Sequence, residues 1–236
     1  MINSRSAAFL LSLASAISYA PAVHAVTYNL ATDWSTTSNP NGPWEYLRGS
    51  TLLPYQPTSC CGLPPGPSFA PSAAAGTFLP VFFRPGAQGS DFFVHSYDSF
   101  NGGAFIGEAT LTWTAPVAGP TTVSGYFYYA QAPLQRSNDV TIRMGTVVVA
   151  SQTVSYLNHA DAASRWDFSS PSIDLNAGDV IAITFQRTSG FSAGTVVAGN
   201  VIVSSIPEPA QAALLLIGFG TIVATRKLRE RRPHPI

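Results

Sequence analysis

Residues 108–116 read EATLTWTAP, and their apolar side chains fall on every second position: Ala109, Leu111 and Trp113 on one side, threonines on the other. A period of two is the pattern of a strand with one face in a core and the other in water. The alternation recurs along the chain. DVTIRMG (139–145) sets Val140, Ile142 and Met144 on one face, and DVIAITFQ (179–186) sets Ile181, Ile183 and Phe185. TTVSGYFYYA (121–130) alternates Val123, Gly125, Phe127 and Tyr129, and RWDFSS (165–170) offers Trp166 and Phe168. Turn signals such as NPNGP, FNGGA, APVAGP, LNAGD and TSGFSAG punctuate these runs, and no amphipathic helical period lies between Val26 and Ser205. Short strands without helices predict an all-β fold, an antiparallel two-sheet β-sandwich that is jelly-roll-like in its strand number.

The two ends follow other rules. At the start, MINSRSAAFLLSLASAISYAPAVHA carries Arg5, an apolar run from Ala7 to Ala20, the helix breaker Pro21 and the small pair Val23 and Ala25. These are the parts of a secretory signal peptide over residues 1–25, with cleavage expected after Ala25. The body, residues 26–205, has 180 positions, which suits one domain with a sizeable core. Charged residues are only 10% of the chain, against about 25% in ordinary globular proteins. Within the body Arg48, Arg84, Arg136, Arg143, Arg165 and Arg187 stand against ten acidic residues, a net charge of −4. That balance excludes nucleic-acid binding, which needs a basic surface.

One stretch departs from the alternation. Eight prolines lie between Pro54 and Pro85, so residues 54–90 are expected to form a long Pro-rich loop with few positions able to hold a ladder. Inside it sits the pair Cys60-Cys61, the only cysteines of the chain. In an exported protein an even count suggests a disulfide, yet neighbouring Cα atoms lie closer than an ordinary disulfide spans. A vicinal bridge, a link between chains and two free thiols all stay open. Without a CxxC spacing no zinc site is expected.

The residues for chemistry are few. GFSAG (190–194) matches the G-x-S-x-G elbow of α/β-hydrolases, but a strand-like TVVAGNVIV follows it, and the acids and histidine that come later, Glu208, Glu230 and His234, all lie in the tail. It reads as a turn. His95 and His159 could pair with Asp98 or Asp161 for general base work, and Asp91, Asp98 and Glu108 could offer oxygen ligands to calcium. No nucleophile, oxyanion device or metal-loop spacing joins them, so no catalytic residue, metal or cofactor is assigned. The aromatic residues are the stronger lead. Trp44 and Tyr46 flank the turn NPNGPWEY, and Tyr126 and Tyr128 must point outward if Phe127 points inward. These four are the candidates for stacking on a sugar.

The tail reads SIPEPAQAALLLIGFGTIVATRKLRERR from Ser204. Prolines keep Pro207-Glu208-Pro209 extended. A helix over about 210–225, with Leu214, Leu215, Leu216 and Ile217 surrounding its axis, is just long enough to span a membrane. Arg226, Lys227, Arg229, Arg231 and Arg232 then place its far end in the cytoplasm and the body outside. These three parts in order, over residues 206–232, resemble the PEP-CTERM sorting signal of exported proteins in Gram-negative, exopolysaccharide-making bacteria. The resemblance implies an inner-membrane stage, processing near Pro207-Glu208-Pro209 by an exosortase-type membrane enzyme, and transfer to the cell surface or extracellular matrix. IDLNAGDVIAITF (173–185) resembles the penultimate hairpin of many carbohydrate-binding jelly rolls. The start of the body, with Trp34, Asn39 to Gly42, Trp44 and Tyr46, is similar to the sandwich domains that often precede this signal. The expectation is a non-enzymatic surface or matrix protein with extracellular polysaccharide as ligand. A secreted hydrolase of polysaccharide or ester substrates is the rival, and a glycosidase would need two facing carboxylates.

Overall fold

The computed structural model describes residues 24–58, 66–74, 78–86, 89–97, 108–189 and 193–207. In chain order these hold β1 (Val26–Asn29), the one-turn helix α1 (Leu30–Asp33), β2 (Trp44–Arg48), β3 (Thr51–Leu52), β4 (Tyr55–Gln56) and β5 (Ser68–Phe69). There follow β6 (Val81–Phe83), β7 (Phe92–His95), β8 (Ala109–Thr114), β9 (Gly119–Tyr129) and β10 (Ser137–Met144). The last are β11 (Val147–Ser155), β12 (Trp166–Ser169), β13 (Ile173–Leu175), β14 (Val180–Arg187) and β15 (Val196–Ser205). Residues 1–23, Cys60, Cys61, and the chain from Glu208 through Pro209, the apolar run and the closing arginines lie outside the described residues. Among those described, no helix is long and apolar enough to cross a membrane.

Two antiparallel sheets result. One runs β12-β9-β15-β7-β6-β5-β4, with β1 also on the edge of β15 and β13 on the edge of β9; the other runs β11-β10-β14-β8-β2-β3. Val26–Ile206 is one compact unit, and the expected β-sandwich is what the strands build. The alternation read from the sequence sets its core. Leu111 and Trp113 on β8, Ile181, Ile183 and Phe185 on β14, and Val140 and Ile142 on β10 are all at most 1% exposed. They meet Val123 and Phe127 of β9, Val197, Val201 and Val203 of β15, and Phe92 and Val94 of β7 in one cluster. Phe185 is the hub: its ring lies edge-on to Phe127 at 5.2 Å, to Phe82 at 6.3 Å and to Phe92 at 6.4 Å, the arrangement aromatic quadrupoles favour.

The central pair β9 and β15 can approach because glycine stands where the rings pass. A Cβ on Gly199 would fall 2.1 Å from the Tyr126 carbonyl oxygen and 2.6 Å from the Phe127 ring. No side chain fits there. Asn200, next along β15, reaches the start of the body: its side chain accepts from Ala31 N at 3.0 Å and donates to Asn29 Oδ1 at 2.9 Å.

The Pro-rich stretch corrects the expectation of a loop over 54–90. It carries β4, β5 and β6, which extend the first sheet through Tyr55↔Phe69, Phe69↔Phe82 and Phe83↔Phe93. Pairing survives because each strand is only two or three residues long and the prolines stand outside it, so no ladder donor is lost. Strand β6 is buried on both faces. Phe82 enters the main core, while Val81 and Phe83 join Ala70, Leu79 and Val196 in a second apolar cluster.

Candidate functional site

Trp44 and Tyr46 do not form a stacking surface. They are 1% and 0% exposed, because β2 pairs with β8 and turns both rings into the core. The NPNG turn locks them there. The Asn39 side chain donates to the carbonyls of Tyr46 and Leu53, each at 2.8 Å, and accepts from Tyr46 N at 2.9 Å. Asn41 donates to the Asp33 carbonyl, and Trp44 Nε1 donates to Asp33 Oδ2 at 3.2 Å. Burial drives the Tyr46 hydroxyl well above the usual phenol range. The W…NPNG-W-Y start is a structural knot.

Tyr126 and Tyr128 behave differently. Phe127 is fully buried, so both tyrosines stand on the outer face of β9, half-buried, as alternation requires. Their hydroxyls are not free, however. Tyr126 donates to Asp91 Oδ1 at 2.5 Å and Tyr128 to Asp91 Oδ2 at 2.8 Å. The Arg165 guanidinium lies 4.1 Å from the centre of the Tyr126 ring while its Nε donates to Asp167 Oδ1 at 3.0 Å. Burial first, and the bond to Asp91 second, push the Tyr126 hydroxyl up to about 12 and raise Tyr128 for the same reasons. The two tyrosines expected to stack on a sugar instead sit in a closed cluster, with one ring face covered by a cation. Asp91, weighed from the sequence as a calcium ligand, is engaged by two phenols.

His159 is held by groups other than Asp161. His159 Nδ1 lies 2.9 Å from the Ser164 carbonyl, and its Nε2 lies 3.2 Å from Gln152 Nε2. Asp161 caps its own turn by accepting from Ala163 N and Ser164 N, and the Ser164 bonds hold its carboxyl below the usual range. His95 is buried, with Nδ1 2.6 Å from the Ser96 carbonyl. Among the described residues no three His, Cys, Asp or Glu side chains come together to hold a metal. Asp98 and Gly190–Ser192 of the GFSAG turn lie outside the described residues.

Sequence reasoning missed a cleft of about 640 Å³, lined by residues 133–137 and 155–157 with Thr153 and Thr188. Its walls are the β9–β10 loop and the turn that ends β11, and both are fixed by hydrogen bonds. The Tyr129 ring is in the core, but its hydroxyl donates to the Ala132 carbonyl at 2.8 Å and accepts from Leu134 N at 3.2 Å. Tyr129 N donates to the His159 carbonyl at 2.7 Å, tying one wall to the other. Asn158 accepts from Ser155 N at 2.9 Å and donates to the Thr153 carbonyl at 2.7 Å. The apolar surface is Leu134, Tyr156 and Leu157, all exposed, Leu157 by 92%. The Tyr156 ring leans edge-on against Tyr129 at 6.0 Å. On the rim, Thr153 and Thr188 both donate to Asp139 Oδ1, at 2.7 and 3.0 Å. Their hydroxyl oxygens are thereby left as acceptors. Among the described residues, no carboxylate and no histidine lines this cleft.

No protein-family model and no curated protein matches the sequence. Some solved structures are similar to it over much of their length. The adhesin domain K2 of Lys-gingipain is 13% identical, with 77% of this chain and all of that one covered at a TM-score of 0.39. The xylan-binding family 22 module from Paenibacillus barcinonensis is 8% identical over 79% of this chain and 97% of its own, at 0.35. The C-terminal family 6 carbohydrate-binding module of a marine laminarinase from Zobellia galactanivorans is 7% identical over 69% and 99%, at 0.29. At identities and TM-scores this low, the likeness carries nothing about ligand or activity.

Proposed function

We propose that this chain is an exported, non-enzymatic surface or matrix protein whose β-sandwich binds extracellular polysaccharide. In this reading the chain is held in the inner membrane by residues 210–225, with its N-terminus outside, until an exosortase-type enzyme processes it near Pro207-Glu208-Pro209. The extent of the sandwich supports this. Among the described residues, strand pairing starts at Val26, the residue after the expected cleavage point, and ends with Val26↔Ser205, two residues before the motif.

The observation that carries the ligand reading is the cleft. It combines an exposed tyrosine ring and aliphatic surface with a rim of hydroxyl, amide and guanidinium groups, the chemistry that matches the apolar face and polar edge of a sugar. Its walls are held in place before any ligand arrives, which keeps the ordering cost of binding low. The lack of a lining acid or histidine among the described residues favours binding over turnover, because glycoside hydrolysis uses a pair of carboxylates.

Two experiments test the reading. The full chain, incubated with exopolysaccharide from the producing cells, should retard it in affinity electrophoresis without shortening it; shortened chains would sink the non-enzymatic assignment. Replacing Pro207-Glu208-Pro209 by three alanines should leave export intact and trap the body in the inner membrane on cell fractionation. Normal amounts of the variant at the outer surface would remove the sorting role.

A further inference from the structure

Arg136 sits in the wall of the cleft, half-buried. Its backbone N donates to the Leu134 carbonyl at 2.8 Å, which fixes the loop beneath it. Its guanidinium makes no hydrogen bond or ion pair to any described residue. The other half-buried arginines are engaged: Arg84 donates to the carbonyls of Ala31 and Ser90, Arg187 lies over the Tyr97 ring at 6.0 Å, and Arg48 has a partner of its own. A partly desolvated guanidinium with five donors and no acceptor is poised for a planar anion.

We propose that the cleft recognises an acidic polysaccharide, a chain bearing carboxylate groups, with Arg136 as its carboxylate contact and Tyr156 as its stacking face. The inference rests on the sugar-binding reading above and names the class of sugar. The layout separates two kinds of subsite. Arg136 precedes β10, and Asp139 lies three residues on, roughly 10 Å along an extended chain. An anionic group therefore meets the guanidinium at one end, while neutral hydroxyls of the next sugar donate to Thr153 and Thr188, which Asp139 holds as acceptors. Asp139 itself repels an anion, so the carboxylate has one end of the cleft to occupy.

The charge of the body sharpens the argument. With a net −4 between Val26 and Ser205, the surface as a whole repels a polyanion. Capture must be local, and a guanidinium fork matched to a carboxylate supplies it.

Calorimetric titration of the full chain in detergent micelles, with heptagalacturonate and with a neutral gluco-oligosaccharide of the same length, tests this. The acidic probe should bind at least about tenfold more tightly than the neutral one, the gain expected of one charge-assisted pair. Arg136→Gln should abolish that preference without shifting the melting temperature, Arg136→Lys should keep part of it, and Tyr156→Ala should weaken both probes alike. Equal affinity for the two probes, unchanged in Arg136→Gln, would overturn the acidic specificity and leave the sugar-binding reading standing. Failure of both probes to bind, or full binding by Tyr156→Ala, would overturn the cleft as a sugar site and this inference with it.

Discussion

The outer face of β9 and the cleft at the end of β11 both present tyrosine and arginine, yet they are opposite kinds of surface. On β9 the groups satisfy one another: two phenols on Asp91, and a guanidinium over a ring and on Asp167. In the cleft the hydrogen bonds run behind the surface, from Tyr129 and Asn158 into the loops, and the groups at the front keep their capacity. An outward-pointing side chain is available to a ligand only when its own neighbours do not already satisfy it.

The largest effect that would break this contrast comes from Asp91. Asp91→Ala leaves two half-buried phenols without their acceptor and should lower stability by about 2 kcal/mol, read by urea unfolding. Binding in the cleft should be unchanged. A variant of normal stability that lost polysaccharide binding would mean that the β9 face, not the cleft, holds the ligand.

A smaller effect follows from pH. Because the folded Tyr126 hydroxyl titrates near 12 against 10 for an ordinary tyrosine, its contribution is complete below pH 10. It is lost as pH rises from about 10 to about 12, where the unfolded chain ionises and the folded one resists. Tyr128 is shifted the same way and steepens the fall. Thermal midpoints across that range should drop less in Tyr126→Phe/Tyr128→Phe than in the parent. Parallel curves would show that the Asp91 cluster does not titrate as its geometry implies.

The smallest stability effect belongs to the cleft itself. Tyr156→Ala removes one edge-on ring contact and should cost about 1 kcal/mol or less, while polysaccharide binding falls by about tenfold. A large loss of melting temperature with intact binding would make Tyr156 a structural residue and erase the comparison.

The long strands were legible because their length lets a period of two declare itself. Ile181, Ile183 and Phe185, or Val140, Ile142 and Met144, need only the alternation to be placed in the core. Strands β4, β5 and β6 were not legible, since two or three residues among prolines contain no period. Trp44 and Tyr46 flanked a turn, and turns suggest exposure; the side chain of Asn39, tied to strand backbone, reverses that. The outward direction of Tyr126 and Tyr128 was readable, but their acceptor lies 35 and 37 residues away, beyond any local pattern. For the cleft one signal existed. Leu134, Tyr156 and Leu157 are large apolar residues in connections between strands, where most turns of the chain are rich in Gly, Pro, Asn and Ser.

The position of β15 has a mechanical consequence. It is bonded to β9 from Val197 to Ser205 on one edge, and on the other to β7 over Val196–Gly199 and to β1 over Ile202–Ser205. A pull on the chain beyond Ser205 runs along this strand and loads both ladders in shear, so many bonds must yield together instead of one after another as in peeling. Lifetime under such a load follows the barrier to unfolding, not the equilibrium stability. A load applied at the C-terminal end of the body is thus borne by a strand bonded along both edges.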